Sequence, residues 1–362
     1  MPVQNWSGYS DREAIYLVSQ TLQQAILGER ALIEAIRRQA GAGRRAAGAL
    51  RLGIGDDCAI LRPKAGHEIC VTTDFTLEDV HFRRVWHPPE SVGHRCLARG
   101  LSDLAAMGAE PMAVFLSLAI PARLAHGWME RFMSGFLALA RRHGVTLAGG
   151  DTAQSPTRSI GEPGLIAADV VAVGQVPPGE AVLRSGAKPG DRIYVTGALG
   201  GSAAELAAAT ESPRKFSGLK PAEPGHPHFY PEPRIAVGRR LRDVAHAMID
   251  VSDGLSTDLT HLCEESAVAA EIDETAVPIH PLAATARDPM KLALHGGEDY
   301  ELLFSAGADM RVPRRIAGVA VHCIGRMRRP GRAEGRIVLW TRDGWRVPIE
   351  PGGWEHFRQA SR

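Results

Sequence analysis

The chain of 362 residues carries almost no net charge, since 42 Lys and Arg stand against 41 Asp and Glu, a formal +1. Such a balance creates no global field to draw in nucleic acid or an anionic membrane surface, so neither is expected as a partner and charge chemistry is local. Cysteine is scarce. Cys58, Cys70, Cys96, Cys263 and Cys323 are odd in number, scattered and never in a C-x-x-C pair, which argues against a disulfide framework and against a zinc site. No apolar run reaches the roughly 18 residues of a membrane helix, because Pro121, Arg123 and Asp169 interrupt the longest candidates. Asp11 and Glu13 stand where a secretory signal needs a basic start and an apolar core. A cytoplasmic protein is expected.

Standard phosphate-binding devices are missing as well. There is no G-x-x-x-x-G-K-[ST] loop, and Gly53-Ile54-Gly55 fails the G-x-G-x-x-G pattern because Cys58 occupies its last position. His94-Arg95 is followed by Cys96 rather than completing a kinase H-R-D loop, and no Ser-centred G-x-S-x-G elbow occurs. Any nucleotide must be held by a fold that is neither P-loop nor Rossmann.

What is present is ordinary globular composition, 44% hydrophobic and 23% charged, in a length that suits about two domains of roughly 150 residues. Strand-like runs at 68–73, 112–120, 165–176, 192–196, 247–250, 300–305, 319–324 and 336–340 alternate with helical patterns at 91–107, 123–143, 202–209, 232–247 and 256–266. That order fits an α/β or α+β architecture. A helix is expected over 31–39, and an amphipathic helix over 11–27 within an N-terminal extension, residues 1–28; the ordered core is expected from near Leu52. Turn signals at 176–179 and 185–190 place a boundary near 177, giving domains 29–176 and 177–362. Residues 211–233, heavy in Pro, Gly and His, read as an exposed loop, and 326–335 as a basic hairpin connection.

The informative feature is a set of carboxylates beside glycines or at the ends of apolar elements. They are Asp56 and Asp57 in GIGDDCAIL, Asp74 in VTTDFTLEDVHF, Asp103 in LSDLAAMGAEP, Asp151 in LAGGDT, Asp250 and Asp253 in IDVSDGLSTDL, and Glu298 and Asp299 in HGGEDYELLF. Gly149-Gly150-Asp151 and Gly296-Gly297-Glu298-Asp299 both read as turns. Taken singly, each acidic turn is most simply a cap or a turn. Taken together they point to a site, because clustered carboxylates repel and must raise their pKa values or recruit cations. Hard oxygen ligands favour Mg²⁺, which typically completes its shell with substrate phosphates.

In this order, GIGDDCAIL, TTD followed by VHF, LSDLAAMGAEP, GGDT, RSGAKPGDRIYVTG, IDVSDGL and GGEDYEL resemble the thiamine-monophosphate kinase family, over residues 29–357. That family belongs to the superfamily of aminoimidazole-ribonucleotide synthetase and selenophosphate synthetase. The resemblance implies two domains with mixed sheets flanked by helices, residues 29–176 binding metal and ATP and pairing across a homodimer. It implies ATP-dependent phosphorylation of thiamine monophosphate to thiamine diphosphate and ADP, the final step in making that diphosphate. Several Mg²⁺ ions would sit on Asp57, Thr72, Thr73, Asp74, Asp103, Asp151, Asp250 and Asp253. Gly150, Asp151, Arg184 and Ser252 would contact ATP, and His81, Glu298 and Trp354 the thiamine phosphate, with no residue acting as general base. Two other readings are a two-metal phosphohydrolase and a non-catalytic thiamine-phosphate-binding protein.

Overall fold

The computed structural model describes residues 23–25, 29–41, 49–125, 127–156, 164–216, 218–220, 223, 225–331 and 335–354. In chain order the N-terminal half contains β1 (Gln23–Ala25), α1 (Glu29–Ala40), β2 (Leu50–Leu52), β3 (Ile60–Leu61), β4 (Glu68–Leu77), α2 (Pro89–Ala106), β5 (Glu110–Ile120), β6 (Arg123–Ala125), α3 (Trp128–Arg142), β7 (Thr146–Gln154) and β8 (Ala167–Val176). The C-terminal half contains β9 (Arg192–Thr196), α4 (Gly201–Glu211), α5 (Ile235–Leu241), β10 (Ala247–Asp250), α6 (Leu255–Glu265), β11 (Ala269–Asp273), α7 (Pro281–Ala284), α8 (Pro289–His295), β12 (Leu302–Ala306), β13 (Arg315–Ile316), β14 (Val319–Arg328), β15 (Ile337–Trp340) and β16 (Arg346–Ile349).

Four strands in the order β4-β8-β5-β7 form a mixed sheet, antiparallel except for the parallel β5–β7 pair. The second sheet runs β10-β12-β9-β14-β11-β15-β16, with β13 paired to β14. Helices α2 and α3 cover one face of the first sheet, burying Leu97, Leu101, Phe132 and Phe136 against Leu116, Val170 and Ala172. The two helix backbones nearly touch. A Cβ added at Gly93 would stand 2.0 Å from the Phe132 carbonyl oxygen, and one at Gly135 would stand 1.9 Å from that of Glu90. Helical glycine costs about 1 kcal/mol relative to alanine, and this close approach is what it makes possible. The far side of α2 packs on α5 and β10, so one helix joins the two halves. Its sixteen buried residues include Arg95 and Ser102.

Several expectations need correction. Of the proposed helix over 11–27 only residues 23–25 are described, and they form a strand antiparallel to β6; the rest lies outside the described residues. That pairing also removes 123–125 from the expected helix, which starts only at Trp128 after a left-handed Gly127. The core begins before Leu52, since Leu32 and Leu50 are already buried. Gly149-Gly150-Asp151 is not a turn but lies within β7, where Leu116 of β5 passes so close that a Cβ on Gly150 would meet its carbonyl oxygen at 1.9 Å. The helix expected over 232–247 shrinks to Ile235–Leu241, because Pro231 and Pro233 bias the chain before it toward extended conformations. Residues 326–335 do not make a hairpin, as β11 lies between β14 and β15. Nor is 211–233 simply exposed: Phe216, Phe229 and Tyr230 are buried together and His228 is only 1% exposed.

Candidate active site

Strand alternation sorts β4. Thr72, Asp74 and Thr76 face α2, while Ile69, Val71, Thr73 and Phe75 are exposed on the opposite face. On α2 the polar residues Arg95, Arg99, Ser102 and Asp103 recur at i, i+4, i+7 and i+8, a stripe on one face of an otherwise apolar helix. The stripe meets β4 and the end of β10. Thr72 Oγ1 donates to Asp103 Oδ2 at 2.5 Å, Ser102 Oγ donates to Asp250 Oδ2 at 2.6 Å, and Arg99 Nη2 reaches Asp74 Oδ1 at 3.4 Å.

These carboxylates perturb one another. Burial pushes the Asp74 carboxyl up to about 6, with Arg99 opposing and Asp103 adding to the rise. Burial and then the Asp103 charge push Asp250 up to about 7, against the Ser102 hydrogen bond. Asp103 is raised by burial too, and its hydrogen bond from Thr72 and the nearby Arg184 pull the other way. Arg184 is exposed, and its charge favours ionisation of both Asp103 and Asp250.

A second set of residues borders it. After α8 the chain turns through Glu298 and Tyr300, both with positive φ, 65° and 51°. Two non-glycine residues in that region store strain, and such strain collects at functional loops. The Glu298 amide donates to the Ser252 carbonyl at 2.7 Å, and Tyr300's to Val251 at 2.9 Å, fixing the loop against the turn after β10. Arg95 Nη2 donates to Glu298 Oε1 at 2.7 Å and to the His81 carbonyl at 3.0 Å. Burial opposes ionisation of Glu298, but Arg95 and then Arg99 overcome it and hold the carboxyl below its ordinary value. The Asp253 amide donates to Asp258 Oδ2 at 3.1 Å, and its carbonyl accepts from the Trp354 amide at 3.0 Å.

The structure therefore gathers Thr72, Asp74, Asp103, Asp250 and Arg184, with Ser252, Asp253, His81, Glu298 and Trp354 along the border. It does not gather the others. Asp57 is exposed on the loop after β2, where its amide donates to Asp56. Thr73 points to the open face, and Asp151 lies in the cross-strand row of Ser117, Asp169 and Phe75, which alternates with the row of Gly150, Leu116, Val170 and Asp74. Among the described residues no hydrogen bond or ion pair joins the side chains of Asp57, Thr73 or Asp151 to the acidic group. The residues that reading the sequence missed are Arg95, Arg99, Ser102 and His228. The first three had a signal in their helical spacing, whereas His228 had none.

The donors suit a hard cation. They are carboxylates and hydroxyls, with no soft ligand and with pKa values raised partly by one another. Among the described residues no three His, Cys, Asp or Glu form a ready-made cage. Mg²⁺ typically takes one or two carboxylates and fills its octahedron with waters and phosphates.

Two family models match the chain: AIR synthase related protein, N-terminal domain, over residues 55–176, and AIR synthase related protein, C-terminal domain, over 188–312. The chain is 37% identical over 317 residues to thiamine-monophosphate kinase of Escherichia coli (strain K12), covering 85% of this chain and 92% of that protein. It is similar to the crystal structure of thiamine-monophosphate kinase from Stenotrophomonas maltophilia K279a, with TM-score 0.72 at 35% identity, over 90% of this chain and 99% of that one. It is similar too to a solved chain described as AaThiL complexed with AMPPCP and TMP, with TM-score 0.68 at 28% identity, over 91% and 97%.

Proposed function

We infer from this chain's membership of the thiamine-monophosphate kinase family, with its two AIR synthase related domains, that it uses ATP to phosphorylate thiamine monophosphate, giving thiamine diphosphate and ADP. The observation that carries the reading is the convergence of Asp74 and Asp103 from one half with Asp250 from the other, beside a loop that presents Glu298. A relative described with an ATP analogue and TMP has the same fold.

The chemistry needs little from the protein except position and charge. The attacking group is a phosphomonoester whose second pKa is near about 6, so it is mostly ionised at neutral pH and no general base is required. The obstacle is repulsion between two polyanions. Asp74, Asp103 and Asp250, with the Thr72 hydroxyl, are the groups that would hold Mg²⁺, and Mg²⁺ when bound neutralises phosphate charge and aligns donor with acceptor. Arg184 supplies a cation whose charge acts on Asp103 and Asp250. On the other border, Glu298 and His81 are set for the thiamine half and Trp354 offers a partly exposed aromatic face. Ser252 and Gly150 are assigned to ATP, and Asp57, Thr73, Asp151 and Asp253 complete the metal set implied by the family motifs.

The remaining assignments are of the same kind. The division into 29–176 and 177–362 is supported by the two sheets, one ending at Val176 and the other starting at Arg192. A homodimer is supported by the open sheet face, where Ile69, Val71 and Phe75 are 47%, 62% and 60% exposed. A cytoplasmic location is supported by five unpaired cysteines; no helix among the described residues is long and apolar enough to cross a membrane.

The test is product analysis with purified protein, ATP, Mg²⁺ and thiamine monophosphate. ADP and thiamine diphosphate are expected only when both substrates are present. Inorganic phosphate released without acceptor would favour a phosphohydrolase, and binding without turnover a non-catalytic protein.

A further inference from the structure

Beside Glu298 and Arg95 lies a residue outside the motifs quoted above. His228 is 1% exposed and its backbone amide donates to Glu205 Oε2 at 2.9 Å. Its ring is packed against His87 and Phe229, with centroids 5.1 and 5.4 Å away. Nδ1 stands 3.0 Å from Ser202 Oγ and 3.2 Å from Arg95 Nη1.

The tautomer follows from these neighbours. A guanidinium can only donate, so Nδ1 accepts. Burial, then the Arg95 charge, hold His228 well below its ordinary pKa and leave the ring neutral, with its proton on Nε2. Nε2 is 3.0 Å from His87 Nε2, and His87 Nδ1 lies 3.2 Å from both the amide and the carbonyl of Arg83.

The consequence falls on Arg95. Its Nη1 donates to the His228 carbonyl and lies against His228 Nδ1, while Nη2 holds the His81 carbonyl and Glu298 Oε1. Glu298 Oε2, 3.5 Å from His228 Nδ1, faces a nitrogen lone pair and receives no hydrogen from it. The other carboxylate oxygen, Oε1, is held by Arg95 at 2.7 Å and by Arg99 Nη1 at 3.4 Å.

We propose that His228 is a positioning residue for thiamine monophosphate: by fixing Arg95 it orients the Glu298 carboxylate and ties it to the segment carrying His81. This rests on the reading in which Glu298 contacts that substrate. His228→Leu removes the acceptor at Nδ1 while keeping apolar bulk, whereas His228→Asn keeps an amide oxygen near the Nδ1 position. Loss of one hydrogen bond to a charged group corresponds to about a tenfold change. Accordingly, His228→Leu is expected to raise KM for thiamine monophosphate about tenfold, with KM for ATP and kcat within about twofold of the parent, and His228→Asn to recover most of the loss. If the Leu variant does not fold, His228→Gln, whose amide reaches toward the Nε2 position instead, replaces it with the same expectation.

Glu298→Gln is the reference. If it raises KM for thiamine monophosphate while His228→Leu leaves it unchanged, or raises both KM values equally, the positioning role is overturned and the site reading stands. An Asn variant no better than Leu also overturns it. If Glu298→Gln itself leaves that KM unchanged, both fall.

Discussion

A carboxylate held near two others in a part-buried site is a cost to the fold that a cation or a bound proton relieves. Asp103 shows this best, since its charge raises both Asp74 and Asp250 and Thr72 is its hydrogen-bond donor. Asp103→Asn keeps an acceptor for Thr72 and deletes the charge. Turnover is expected to fall by roughly a hundredfold or more, because a charge that organises the metal has gone, while the melting temperature in the presence of a chelator rises because repulsion has been relieved. Retained turnover, or a lower melting temperature, would show that the carboxylate serves the fold instead. At this scale the sequence was informative wherever acid stood beside a recognisable string, as for Asp74, Asp103 and Asp250. It offered only a helical spacing for Arg95 and nothing for His228, whose meaning depends on contacts 203 and 133 residues apart in the chain. It also grouped Thr73 with Thr72, though adjacent strand residues point to opposite faces.

Helix α2 carries four side chains of the site, so its seating decides their positions. Gly93→Ala would drive a methyl group to 2.0 Å from the Phe132 carbonyl oxygen, and overpacking of this kind typically costs about 1–3 kcal/mol. Gly144 has positive φ but open space around it, so Gly144→Ala bears backbone strain alone. Chemical denaturation should rank Gly93→Ala as the more destabilised; the reverse order would mean that α2 and α3 can part without loss. Helix α4 offers a pH test. Its first amides, from Gly200 and Ser202, donate to Asp299 at 2.7 and 3.2 Å. Burial nevertheless pushes this carboxyl from 3.8 up to about 7. A raised folded pKa means that stability from the neutral form is present below the ordinary value and is lost as pH rises through about 7. Asp299→Asn lacks that loss, so the melting temperature of the parent should drop relative to the variant between pH 5 and 8. A constant gap would place Asp299 at its ordinary pKa. Elements with plain periodicity, such as β9 and β10, could be read from the sequence to the residue. β7 could not, because its paired glycines look like a turn until β5 is seen lying against them.

For the whole molecule, the asymmetry of the first sheet is the fact that most demands an explanation. One face is sealed by α2 and α3; the other presents Ile69, Val71 and Phe75 along β4, and among the described residues only its opposite end is covered, where Leu50 packs on Met112, Ala113 and Ala148. Large contiguous apolar surface is uncommon on a soluble monomer and marks contact with another surface. A second copy is the occupant the family resemblance implies, and an isologous contact would set each β4 face against its twin. Val71→Glu combined with Phe75→Glu places charge in the centre of that contact while touching neither the α2 side of β4 nor the core behind it. Sedimentation should then show the parent as a dimer and the double variant as a monomer with unchanged secondary structure. A parent that sediments as a monomer, or a variant that stays dimeric, would remove the open face from the interface. Because Thr73 and Asp151 lie on that same face while Asp74 and Asp103 lie behind it, the monomeric variant also asks whether catalysis needs the pairing. Loss of turnover on dissociation, with ATP binding retained, would tie the open-face residues to the reaction through assembly rather than through direct contact with the acidic group.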